Sequence, residues 1–204
     1  MFAPADLKRQ IDRYPKALTE GVLAAKASPA VGVPLDRALY TEVENAIEAI
    51  RLHRPFAEIV QRLGQVTHYV ALANHPLAIG SSDPQEPRYA RDYPVYVASA
   101  IPRFNPTFYG DGRLVNQPRD LSLLVHTALA RSRSTYELIA NEYRRIGYGR
   151  GQGTFDDRST AFGVSALSYS HSISDTIGVL RYIWVRAGGA DSRKYLKLTP
   201  PTTP

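Results

Sequence analysis

Cysteine is absent from the 204 residues. That excludes disulfides, thiolate metal centres and cysteine nucleophiles, and it is the usage expected in a reducing compartment. A long uncharged run is missing as well. The most apolar stretch, AFGVSALSYSHSISDTIGVLRYIWV from Ala161 to Val185, contains His171, Asp175 and Arg181, which marks a buried soluble helix rather than a membrane span. The opening MFAPADLKRQIDRYPKAL carries charge too early and too densely for a signal-peptide core, so a cytoplasmic location is expected. No stretch alternates apolar and polar residues over enough positions to form a sheet. The chemical fingerprints of several enzyme classes are also absent. Gly147, Gly149, Gly151 and Gly153 lack the Gly-Lys-Ser/Thr ending of a phosphate-cradling loop and read as a helix terminator and flexible connector. GVSAL around Ser165 lacks the second glycine of a nucleophile elbow, and no dinucleotide fingerprint occurs.

What remains is an ordinary globular composition, 44% hydrophobic and 22% charged, on a chain long enough for one substantial core. The expectation is a single all-α domain over residues 1–198, five to seven helices joined by long Pro/Gly-rich loops, with TPPTTP at 199–204 as a tail. A first helix is expected from Asp6 to Ala25, kinked or divided at Pro15. The second runs from Leu35 to His53, with Leu39, Val43, Ala46, Ile47 and Ile50 on one face. Pro55 opens a third, whose stripe is Phe56, Ile59, Val60, Leu63, Val66 and Val70, and Pro76 ends it near Asn74. A short aromatic helix from Tyr89 to Ala100 is expected to be interrupted at Pro94. Long helices follow at Asp120–Ile146 and Ser159–Ala187, the last capped by the Asp156–Ser159 stretch and ended by Gly188 and Gly189.

The net charge of +6 comes partly from the C-terminal end, where Arg181, Arg186, Arg193, Lys194 and Lys197 outnumber Asp191. Such an excess suits an acidic partner surface, although no dense basic cluster with interleaved aromatics marks a nucleic-acid binder. A second surface feature is aromatic. Tyr89, Tyr93, Tyr96, Phe104, Phe108 and Tyr109 stand among Arg88, Arg91 and Arg103, a composition suited to a protein interface or stacking platform if exposed, and to loop packing if not.

The stretch LGQVTHYVALANHPLA, Leu63 to Ala78, carries the strongest motif. Leu63-Gly64-x-x-x-His68-Tyr69 followed by Asn74-x-Pro76-Leu77 resembles the central motif, approximately LGxxxHYxxDxxxPxH, of the zinc-dependent phospholipase C and single-strand-specific nuclease superfamily. The close match covers about 16 residues, and the run SHSISDTIGVLRYIW is similar to the closing helix of small bacterial relatives. The resemblance implies an all-α fold and, in its catalytic members, a zinc cluster that hydrolyses phosphodiester bonds. Of that motif's three zinc ligands only His68 is present here. Leu72 stands at the aspartate position and Ala78 at the second histidine position. The downstream His-x-x-x-Glu pair has no counterpart in RYARDYPVYV, and the early tryptophan and histidine ligands have none in MFAPADLKRQ.

Leucine cannot coordinate a metal, and a lone imidazole holds zinc poorly where three or four ligands are usual. One pair offers a substitute. His171 and Asp175 have the His-x-x-x-Asp spacing that places both on one helix face, and with His68 they would make a remodelled three-ligand site. The alternative is an Asp–His hydrogen bond in a buried polar layer, with Ser168, Ser170, Ser172 and Ser174 allowing close helix packing. Two functions therefore follow. The favoured one is a non-catalytic phospholipase C-like protein that binds another protein or an acidic surface as an assembly subunit, with no cofactor. The other is a zinc-dependent phosphodiester hydrolase acting on phospholipid headgroups or nucleic acid through His68, His171 and Asp175.

Overall fold

The computed structural model describes residues 4–27, 32–78, 83–109, 115–148 and 150–189. The expected tail at 199–204, with Asp191, Arg193, Lys194 and Lys197, lies outside them. Among the described residues the chain is all-α, with seven helices of nine residues or more, one of four residues and no strand. They are α1 (Ala5–Arg13), α2 (Pro15–Ala27), α3 (Leu35–Arg51), α4 (Phe56–Ala73), α5 (Asp92–Ala100), α6 (Pro118–Ile146), α7 (Gly151–Thr154) and α8 (Thr160–Arg186). Single 3₁₀ turns stand at Glu86–Arg88 and Ile101–Arg103. None of these helices is long and apolar enough to cross a membrane. The chain forms two compact units, one from Met1–Tyr69, Arg113–Ser122 and Thr176–Pro204, the other from Val70–Gly112 and Leu123–Asp175. Helices α4, α6 and α8 contribute residues to both.

In the first unit Pro15 divides the opening helix in two, since its ring cannot continue the α1 ladder and its missing N–H is harmless at the start of α2. On α3 the apolar stripe is buried at Leu39, Val43, Ala46 and Ile47, while on α4 Ile59, Val60, Leu63 and Val66 are buried. Phe56 leaves the expected stripe: it lies on the first turn of α4 and remains 42% exposed. Two glycines set the approach of α2 to α4. A Cβ on Gly21 would lie 1.8 Å from the Gln61 carbonyl oxygen, and one on Gly64 would lie 2.2 Å from that of Leu18. The two backbones touch there, and a methyl group on either helix would push them apart.

Helix α3 ends in a Schellman motif. The His53 N–H donates to the Ile50 carbonyl and the Arg54 N–H to the Ala49 carbonyl, both at 3.0 Å. The motif needs a left-handed residue at its C′ position, and His53 supplies it at φ 52° where glycine is usual.

The second unit is built on aromatic rings. Tyr89, Tyr93, Tyr96, Phe104, Tyr136, Tyr143 and Phe155 are all buried in one cluster with Leu77, Ile139 and Val164. Tyr89 stacks on Tyr143 at 4.9 Å between centroids and on Tyr148 at 6.0 Å, and Arg88 covers Tyr148 at 4.3 Å. The hydroxyl groups of Tyr89, Tyr93 and Tyr143 find partners inside. Tyr143 donates to Asp92 at 2.7 Å, Tyr89 donates to Asp83 at 2.9 Å, and Tyr93 bonds to Ser165 Oγ at 2.9 Å. Tyr89, Tyr93, Tyr96 and Phe104 are thus core residues and not a surface platform, a correction of the exposed reading. Proline does not interrupt α5 either. Pro94 is its third residue, where a helix leaves N–H groups unpaired in any case.

Gly151 of the glycine-rich stretch is held in place by Asp92. The Asp92 carboxylate accepts the Gly151 N–H at 2.8 Å, and a Cβ on Gly151 would meet that carboxylate and the Tyr143 hydroxyl, each at 2.5 Å. Ser159 caps α8 as expected, its Oγ accepting the Phe162 N–H at 3.1 Å.

Two substitutions test these local constraints by urea unfolding. Gly64→Ala is expected to cost about 2–3 kcal/mol through forced separation of α2 and α4. His53→Gly is expected to raise stability by about 1 kcal/mol, because glycine relieves the left-handed strain.

Candidate functional site

The sequence-derived candidates fall in both units, His68 in the first and His171 with Asp175 in the second. His68 is half-buried on α4, its ring edge-on to Tyr69 at 5.6 Å. Burial lowers its pKa, and the nearby Lys26 ammonium lowers it further. A residue held neutral beside a lysine stands in a field that disfavours a second cation.

His171 and Asp175 occupy successive turns of α8, but they have different partners. The Asp175 carboxylate pairs with the Arg131 guanidinium, and Asn74 Nδ2 donates to the same oxygen at 2.9 Å. Arg131 also donates to Asn74 Oδ1 at 3.1 Å, and Asn74 Nδ2 donates to the Val70 carbonyl at 3.1 Å. Three groups thus close a ring in which every bond is charge-assisted or buried. Burial raises the Asp175 pKa above the usual carboxylate range, with Arg131 and Asn74 pulling against it. His171 stacks flat on the Tyr109 ring, 4.3 Å between centroids and 19° between planes. Its pKa is lowered first by burial and then by Arg131. The Asp–His pair expected from the spacing is replaced by an Asp–Arg–Asn cluster and a His–Tyr stack.

Alternating serines on α8 hold a neighbouring segment. Thr107 N–H donates to Ser170 Oγ and Tyr109 N–H to Ser174 Oγ, both at 3.1 Å. The serine hydroxyls in turn donate to the carbonyls one turn back, at Ala166 and Ser170. Four residues of helix advance about 6 Å and two residues of extended chain about 6.6 Å, so the two spacings match. This segment carries Tyr109 onto His171. Of the expected interface residues, Tyr109 remains 49% exposed and Phe108 is partly exposed, while the other four are buried.

Arg131 and Asn74 are the partners of Asp175 that sequence reading did not assign. Arg131 is one cation among 25 lysines and arginines, and nothing in its spacing selects it. Asn74, just past the end of α4 and two residues before Pro76, carried a signal, since asparagine favours helix C-termini. Among the described residues, no group of three or more histidines and carboxylates is arranged to hold a metal ion.

His75 offers a measurable electrostatic signature. Its Nδ1 accepts the Leu77 N–H at 3.2 Å, its ring sits edge-on to Tyr93 at 5.4 Å, and burial lowers its pKa to about 4. The folded state binds this proton less readily than the unfolded chain, whose histidine titrates near 6.5. Its contribution is therefore complete above about pH 6.5 and lost as pH falls toward 4, by about 2–3 kcal/mol. His75→Asn keeps the acceptor and removes the titration, so its unfolding free energy should fall less steeply between those pH values than that of the wild type.

The ion pair is tested by a double-mutant cycle. Arg131→Met should cost about 3 kcal/mol by leaving a buried carboxylate without its cation, and adding Asp175→Leu should recover part of that loss. Comparison of the chain with protein-family models, with curated proteins and with solved structures gives no match.

Proposed function

We propose that this protein is a non-catalytic helical subunit of phospholipase C-like ancestry that works by binding another macromolecule. The observation that carries the proposal is the Arg131 guanidinium at Asp175. Hydrolysis of the kind the α4 motif suggests depends on a metal ion to generate hydroxide and neutralise phosphate charge. At the one carboxylate with a histidine a turn away, a fixed protein cation already provides the counter-charge. Leu72 at the family's aspartate position and Lys26 beside His68 support the same reading. The surface supplies means of binding instead: a net charge of +6, and the exposed Tyr109 ring held by the α8 serines.

The test is zinc titration by calorimetry and elemental analysis after expression in zinc-supplemented medium. Less than stoichiometric zinc, with no saturable heat, is the expected result. Stoichiometric zinc that is lost in His171→Ala would overturn the proposal and revive the reading of a metal-dependent phosphodiester hydrolase.

A further inference from the structure

The corner between α3 and α4 is exposed at every residue from Arg51 to Ala57. Within it Leu52 is 57% and Phe56 42% exposed, and among the exposed large apolar residues these two lie closest together in sequence. Two arginines stand within the turn, with Glu48 and Glu58 just outside it. Arg51, whose Nη2 donates to the Arg186 carbonyl at 2.9 Å, and Arg54 belong to the same turn, and Leu52 and Arg54 line a recess of about 160 Å³ with Asn45, Glu48, Glu58 and Arg62. No acidic residue occurs between Arg51 and Ala57. The geometry of the turn is fixed by the Schellman bonds and by Pro55, and a histidine occupies the left-handed position that glycine would fill with less strain. Strained backbone with two apolar side chains held in water is the kind of local cost that accompanies a contact surface.

We propose that the α3–α4 corner docks the protein on an anionic lipid bilayer surface. Leu52 and Phe56 enter the boundary between headgroups and acyl chains, while Arg54 meets the lipid phosphates and Arg51, bonded to the Arg186 carbonyl, adds positive charge beside it. A turn exposed at every residue suits a fluid surface, which can close around the Leu52 and Phe56 side chains. The charge complements an anionic leaflet, and a contact of this size gives weak, reversible association. The corner lies within the first unit, so this inference does not rest on the reading of Asp175 and Arg131.

Co-sedimentation with phosphatidylcholine vesicles, with and without phosphatidylserine, tests it on the full chain. Wild-type protein is expected to pellet with the phosphatidylserine vesicles and to be released by raised salt. Leu52→Ser with Phe56→Ser should weaken that partitioning about tenfold or more, and Arg54→Glu should weaken it severalfold. Both variants alter exposed side chains, and unchanged circular dichroism and urea midpoints establish that they fold. Wild-type protein that stays in the supernatant overturns the proposal. So does pelleting that the variants leave unchanged, and so does self-association through this corner in sedimentation velocity without lipid.

Discussion

A carboxylate removed from water needs a cation or a proton, and in this protein Arg131 is the cation. Asp175 projects from α8 with its side chain only 13% exposed. Left alone there it would be driven to protonate. The guanidinium of α6 and the amide of Asn74 hold it instead, so one oxygen binds residues contributed by α6 and by the end of α4. Bonds of this kind fix relative helix position more sharply than apolar contacts, since a half-satisfied buried charge is worse than none. Ser132 adds a neighbouring tie, donating from α6 to the Ala73 carbonyl at 2.7 Å. The Asp175 charge is met by Arg131 from within the same unit.

The rest of that unit follows from its tyrosines. A ring of this size contributes much buried area at low conformational cost, but its hydroxyl must find a partner. Asp83, Asp92 and Ser165 provide such partners, placing acidic or polar groups inside an otherwise aromatic cluster. Asp92 serves twice, accepting from Tyr143 and from the first N–H of α7. The short helix and the glycine that begins it are therefore consequences of the aromatic packing.

Helix positions were legible in the sequence because they depend on local rules. Stripes at spacings of three and four, prolines at first turns and glycines at ends located α3, α4, α6 and α8 to within a few residues. What could not be read depends on tertiary placement. Phe56 fits the α4 stripe by spacing, yet it precedes the point where neighbouring helices cover that face. Tyr89, Tyr93 and Tyr96 have the composition of an interface, and only the fold of their own segment onto α6 and α8 shows them as core. Arg181 counts toward the basic end by charge but is 2% exposed, so its guanidinium is not open to a partner as that of Arg186 is. Asp175 was found by its spacing from His171, whereas its true partner lies 44 residues away in sequence.

The same distinction bears on the motif of α4. Nearly every matched letter has a packing or capping task in this fold. Leu63 is fully buried, Gly64 lets α2 touch α4, and Tyr69 is buried. Asn74 bonds back to the Val70 carbonyl, Pro76 follows the helix end, and Leu77 joins the aromatic cluster. These tasks would preserve the letters whether or not a metal is bound. His68 is the exception. It is half-buried, near a lysine, and neither packing nor capping requires an imidazole there. Under the function we propose, leucine and alanine at two of the motif's ligand positions leave its packing and capping residues with a purely structural task.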